Sequence, residues 1–78
     1  MKLTVNTFSS GMKIMSYTYL DWKYDINNKE MAGVWYMELS RMISEEDFMK
    51  AINIYTDTQS KAPGSPVEFR NAYLKGRW

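Results

Sequence analysis

Apolar side chains recur at helical spacing in four stretches of the 78-residue chain, and the first predicts a helix over residues 7–22. Its apolar residues are separated by four, three, four and three positions, so they share one helical face: Phe8, Met12, Met15, Tyr19 and Trp22. Asn6 or Thr7 can cap this helix. Gly11 lies inside it and weakens it by up to ~1 kcal/mol relative to alanine. The β-branched residues around Val5 leave a short extended start as an alternative.

The second stretch predicts a helix over residues 28–42, which starts near Asn27 or Asn28. Asn27 and Glu30 have the spacing of a capping box. The apolar face is formed by Met31, Trp35, Leu39 and Met42, and Val34 widens it. Glu38 points the same way as this face, so it either lies at the rim of the packed surface or the face meets a partner. We expect it at the rim.

The third stretch has the clearest start signal and predicts a helix over residues 45–58. Ser44 is the expected N-cap, with Asp47 three residues later, and Ile43 and Phe48 can form a hydrophobic staple. Three consecutive acids in the first turn suit the helix dipole, so we interpret them as a solvated cap. The apolar face continues through Ala51, Ile52 and Tyr55.

A turn at residues 61–64 precedes the fourth predicted helix, over residues 66–75. Ser65 is the expected N-cap, Pro66 takes the first helical position and Glu68 completes a capping box. Phe69, Ala72 and Tyr73 form the apolar face, and Gly76 can follow the last turn.

These elements predict an all-α bundle of about four helices in a single domain that spans residues 1–78. The connections are short, so consecutive helices are expected to be neighbours. A chain of this length buries only roughly 60–65% of its unfolded surface, which makes its core marginal. Self-association can add stability to such a core, and a homodimer is therefore a further expectation.

The chain contains neither histidine nor cysteine, which removes most catalytic and metal-binding chemistry. Structural zinc, haem and iron–sulfur sites lack their usual ligands, and histidine-activated nucleophiles and disulfides are excluded. The consecutive acids diverge around their helix and cannot easily converge on one ion. We therefore expect no enzyme activity, no metal and no cofactor.

The N-terminus lacks the pattern of a signal peptide, and the chain has no apolar run of about 18 residues. Both observations favour a cytoplasmic protein without a membrane span.

Twelve aromatic and seven methionine residues are more than a core this small is expected to hold. The surplus falls off or beyond the predicted core faces and is expected on the surface, at Tyr17, Tyr24, Tyr36, Met37 and Trp78. Aromatic and methionine side chains are enriched in protein interfaces, so a partner protein is the first functional hypothesis.

DNA binding is the alternative hypothesis, because the third and fourth helices are joined by a tight turn. The fourth helix would contact DNA through Arg70, Asn71, Lys75 and Arg77. A net charge of +1 gives little attraction to phosphate, which places this hypothesis second.

Residues 20–74 resemble the helical N-terminal domain of phage replicative-helicase loaders and inhibitors. The resemblance is carried by Val34-Trp35-Tyr36-x-x-Leu39, by Met42-Ile43-Ser44-x-Glu46-x-Phe48-x-x-Ala51 and by Pro63-Gly64-Ser65-Pro66-x-Glu68-Phe69-Arg70. The family often has an aromatic residue before the turn proline, where this chain has Ala62.

The resemblance implies a phage-encoded protein in the host cytoplasm that binds a replication component, either the replicative helicase or its loader ATPase. Loaders of the family carry a flexible C-terminal extension, whereas this sequence ends at Trp78, so we expect inhibition rather than loading. The expected contact residues are Tyr36, Met37, Arg70, Tyr73 and Trp78.

Overall fold

The computed structural model describes residues 1–25 and 27–76, and within them it confirms an all-α bundle of four helices. The helices are α1 (Val5–Thr18), α2 (Lys29–Met42), α3 (Glu45–Thr58) and α4 (Pro66–Gly76). Ile26, Arg77 and Trp78 lie outside the described residues.

Both predicted serine caps are confirmed. The Ser44 hydroxyl accepts a hydrogen bond from the Asp47 N–H at 3.2 Å, and the Ser65 hydroxyl accepts from the Glu68 N–H at 3.3 Å. The Glu68 carboxylate accepts from the Gly64 N–H at 2.6 Å, one residue before the cap. These local hydrogen bonds explain why α3 and α4 begin where the sequence predicts.

The predicted bounds of α1 are wrong at both ends. The helix begins at Val5, because the Thr4 hydroxyl caps it by accepting from the Thr7 N–H at 3.3 Å. It ends at Thr18, where the Tyr19 backbone is extended. At α2 the cap is Asn28, whose side chain accepts from the Met31 N–H at 3.1 Å, so the predicted Asn27–Glu30 box does not form.

The expectation that consecutive helices are neighbours is confirmed for α3 and α4, whereas neither α1 and α2 nor α2 and α3 form a main packing pair. Helix α1 packs mainly against α3, and α2 packs against α4. The connection between α1 and α2 has ten residues, from Tyr19 to Asn28, and is longer than predicted. Helices α1 and α3 run in the same direction, since Thr4 contacts Glu45 near their starts and Tyr19 contacts Gln59 near their ends.

The core is centred on α3, whose apolar face is fully buried at Phe48, Ala51 and Ile52. The Phe48 ring lies 6.2 Å from the Phe8 ring and 6.0 Å from the Phe69 ring, so it joins α1, α3 and α4. Gly11 has a packing role that its sequence context did not reveal. A Cβ atom at Gly11 would overlap the Phe48 ring and lie 3.0 Å from Ile52 Cγ1, so glycine permits the close approach of α1 to α3.

The acids that begin α3 hold the N-terminal segment in place. The Glu45 carboxylate accepts hydrogen bonds from the Thr4 N–H at 3.0 Å and from the Thr7 hydroxyl at 2.7 Å. The backbone hydrogen bond from Thr4, followed by that from the Thr7 side chain, lowers the Glu45 pKa from its ordinary value. The N-terminal ammonium of Met1 pairs with Glu46 at 3.2 Å. Glu45 and Glu46 are therefore more than a solvated cap.

Candidate binding cleft

A cleft of about 470 Å³ lies between the α1–α2 connection and the α3–α4 turn. Its size is in the usual range for sites that accept a small molecule or a few side chains. The start of α2 contributes a further wall. The lining residues come from three separate segments of the chain: Asp21, Trp22, Lys23, Tyr24, Met31, Trp35, Ser60, Lys61, Ala62, Pro63 and Gly64.

Three aromatic rings pack against one another along this cleft. The Trp22 ring centre lies 4.9 Å from that of Tyr24 and 5.7 Å from that of Trp35, the latter at an interplanar angle of 87°. The Tyr24 and Trp35 ring centres are 5.6 Å apart, again edge to face. Each pair of this kind contributes about 0.5–1.5 kcal/mol beyond its buried area. The aromatic wall is therefore held in place by contacts within the protein.

The opposite wall is fixed by hydrogen bonds to backbone carbonyl groups of the α3–α4 turn. The Trp22 Nε1–H donates to the Pro63 carbonyl at 3.0 Å, and the Tyr55 hydroxyl donates to the Lys61 carbonyl at 2.8 Å. The Tyr19 hydroxyl donates to the Gln59 carbonyl at 2.8 Å. Aromatic side chains from three parts of the chain thus secure one turn.

Charged groups add a weak positive bias to the cleft, since the exposed Lys23 and Lys61 line it together with Asp21. Burial, followed by the nearby Asp25 carboxylate, raises the Tyr24 pKa. Burial also raises the pKa of Tyr55 to about 12, with smaller contributions from Tyr19 and Glu68. Both phenols stay neutral at physiological pH, and the Tyr55 hydroxyl donates to the Lys61 carbonyl. Nowhere in residues 1–25 and 27–76 do three or more acidic side chains gather in a way that could hold a metal ion.

The structure places the predicted contact residues in different environments. Met37 is 53% exposed, in agreement with its predicted exposure. Tyr36, also predicted to be exposed, is half-buried, since its ring packs edge to face on Phe8 and its hydroxyl donates to the Leu3 carbonyl at 2.7 Å. Tyr73 is buried. Trp78 lies outside the described residues.

The residues predicted to contact DNA also differ in how exposed they are. Arg70 is half-buried, its Nε atom is buried without a hydrogen-bond partner, and its guanidinium donates to the Asn71 side chain at 3.2 Å. Asn71 and Lys75 are exposed and line a smaller cleft of about 290 Å³. Arg77 lies outside the described residues.

The sequence did not identify the aromatic cleft. Tyr24 was predicted to be exposed, and this is wrong, because the residue is only 8% exposed beneath Trp22 and Trp35. Trp22 and Trp35 were assigned to core faces, and Lys61 to a turn. The sequence feature that could have indicated the cleft is the close spacing of two aromatic residues, Trp22 and Tyr24, between two helices. Of the other aromatic residues predicted to be exposed, Tyr17 is confirmed.

Comparison of the chain with protein-family models, with curated proteins and with solved structures gives no match. Across the described residues, the helices are too short or too polar to cross a membrane.

Proposed function

We propose that this protein is a non-catalytic binding module that captures a segment of a partner protein in the aromatic cleft and thereby modulates the partner. The proposal rests on the aromatic cleft, whose shape is fixed by contacts between side chains of this protein. A preformed site binds more tightly because little conformational entropy is lost on association. The sequence resemblance supports a partner from the DNA replication machinery, namely the replicative helicase or its loader ATPase, with inhibition as the expected outcome.

The lining of the cleft suits an apolar or aromatic side chain that has an acidic neighbour. Trp22 and Met31 offer apolar and polarisable surface, as in the central pockets of protein interfaces. Lys23 and Lys61 can attract a carboxylate beside that pocket. An acidic, aromatic segment of the partner is therefore the expected occupant.

DNA binding through α4 remains the competing proposal, and the geometry favours it less. A recognition helix needs side chains that can extend to base edges. The half-buried Arg70 instead directs its guanidinium to Asn71 on the same helix. Among the described residues predicted for this role, Asn71 and Lys75 are the exposed ones.

Calorimetric titration of the full chain against purified replicative helicase, and separately against the loader ATPase, tests the protein-binding proposal. We expect Lys61→Glu to weaken binding about tenfold, because it reverses a charge beside the cleft. Lys50→Glu is the matched control, since Lys50 is exposed on α3 and does not line the cleft. Quenching of Trp22 and Trp35 fluorescence, measured in a Trp78→Phe background, would report occupancy of the cleft.

The outcomes separate the parts of the proposal. Binding that Lys61→Glu and Lys50→Glu weaken equally would exclude the cleft as the site. Absence of binding to both proteins would refute a replication partner. A gel shift with duplex DNA at about 50 mM salt that is lost in Lys75→Glu would support the competing proposal, because phosphate contacts are strongest at low salt.

A further inference from the structure

The outward face of α2 combines two exposed apolar side chains with one charge of each sign. Glu30, Val34, Met37 and Arg41 follow one another at spacings of four, three and four residues, so they lie within about 60° of one another around the helix. Val34 is 58% exposed and Met37 is 53% exposed, and Glu30 and Arg41 are both exposed. We call these four residues the α2 stripe.

The α2 stripe is distinct from the aromatic cleft. Trp35, which lines the cleft, lies about 100° round the helix from Val34. Leu39, the other buried residue of α2, is farther from the stripe and points into the core. A partner on the stripe would therefore leave the cleft open.

We infer that the α2 stripe is a self-association surface, on which a second copy of this chain packs with its α2 antiparallel. A two-fold axis placed midway between Val34 and Met37 brings Val34 of one copy onto Met37 of the other. The same axis brings Glu30 of one copy beside Arg41 of the other, twice. One symmetry operation thus pairs both apolar residues and both charges, as an isologous interface requires.

The charges also decide the direction of packing. In a parallel arrangement Glu30 would face Glu30 and Arg41 would face Arg41, and like charges in an interface oppose association. In the antiparallel arrangement Glu38 of one copy lies opposite Gly33 of the other, so Glu38 does not meet a like charge. The stripe spans about 17 Å of helix and has four residues on each copy, fewer than the roughly 20–30 of a standard interface, so we expect weak association. We expect association at concentrations between about 10 µM and about 1 mM.

Sedimentation equilibrium of the full chain and its charge variants tests this inference. Glu30→Arg alone and Arg41→Glu alone should each weaken self-association about tenfold or more, because each creates two like-charge pairs. An equimolar mixture of the two variants should associate as the wild type does, since the arginine introduced in one copy then meets the glutamate introduced in the other. High salt should weaken the wild-type dimer.

The recovery in the mixture is the result that a purely structural role of these charges would not produce. Glu30 and Arg41 also suit the dipole of their own helix, so circular dichroism must show that each variant is folded. If a charge variant does not fold, Val34→Lys serves in its place, and it should abolish the dimer. A monomeric wild type at about 1 mM, or a mixture no more associated than its components, would overturn the inference.

Discussion

Helices α2 and α3 have the same length of 14 residues and both begin at a side-chain cap, yet they have different roles in the molecule. Helix α3 contacts both α1 and α4, and Phe48, Ala51 and Ile52 have no exposed surface. Helix α2 buries Trp35 and Leu39 and exposes Val34 and Met37 on its outward face. Helix α3 is therefore the centre of the core, whereas α2 completes the core on one face and exposes apolar side chains on the other, where we propose that a second copy packs.

Truncation of one large side chain on each helix should give the largest difference. Phe48→Ala removes a ring that joins three helices, so we expect a loss of about 3–5 kcal/mol in the free energy of unfolding. Met37→Ala should change it by less than about 0.5 kcal/mol, because most of that side chain is exposed. Urea denaturation at low protein concentration measures both. Equal losses would contradict the contrast between the helices.

Two glycine-to-alanine substitutions should change stability in opposite directions. Gly11→Ala places a methyl group against the buried Phe48 ring, and such overpacking costs about 1–3 kcal/mol. At Gly33 on α2 a Cβ atom would meet nothing within 4 Å, so Gly33→Ala should stabilise by about 0.5–1 kcal/mol through helix propensity. Thermal denaturation of both variants checks the signs. Stabilisation by Gly11→Ala would show that there is room for a methyl group between α1 and the Phe48 ring of α3.

The hydrogen bond between Tyr36 and Leu3 connects α2 to the N-terminal segment. Tyr36→Phe keeps the edge-to-face contact with Phe8 and removes the donor, so we expect a loss of about 1 kcal/mol. Tyr17→Phe is the control, since Tyr17 is largely exposed and its hydroxyl should contribute nothing measurable. Indistinguishable denaturation curves for the two variants would mean that the Tyr36 hydroxyl does not hold α2 in place.

The smallest effect that we predict is a pH dependence that originates at Glu45. Hydrogen bonds from Thr4 and Thr7 lower its pKa in the folded state below the ordinary value of 4.5. The stabilisation is therefore complete above that value, and it is lost as the pH falls through the lowered pKa. Glu45→Gln should melt at a lower temperature than the wild type at pH 7, with a difference that shrinks under acidic conditions. Asp57→Asn, at an exposed position, should not reproduce this profile.

The parts of the fold that the sequence predicted well depend on neighbours along the chain. Ser44 and Ser65 cap their helices through residues three positions later, and the apolar face of α3 follows from helical spacing alone. The predicted end of α1 was wrong, because Tyr19 lies outside the helix and its hydroxyl donates to the carbonyl of Gln59, forty residues away. The role of Gly11 was hidden for the same reason, since Phe48 belongs to another helix.

The candidate site was less predictable than the fold, because its walls come from segments that meet only after folding. Trp22 lies forty-one residues from Pro63, to which it donates, and nothing in the local sequence indicates that contact. Met37 was predicted correctly, because an exposed position on an amphipathic helix can be read from periodicity. The prediction that Tyr24 is exposed was wrong, because helical periodicity gives no information on a residue in a connection between helices.

We propose that self-association takes place on the α2 stripe and leaves the α3 core unchanged. Amide chemical shifts, recorded by NMR over a dilution series from about 1 mM to about 10 µM, test it most directly. We expect concentration-dependent shifts along the α2 stripe, at Glu30, Val34, Met37 and Arg41, and constant shifts at Phe48 and Ile52. Constant shifts throughout, or shifts centred instead on the exposed Tyr17 and Leu20 of the α1 side, would contradict it.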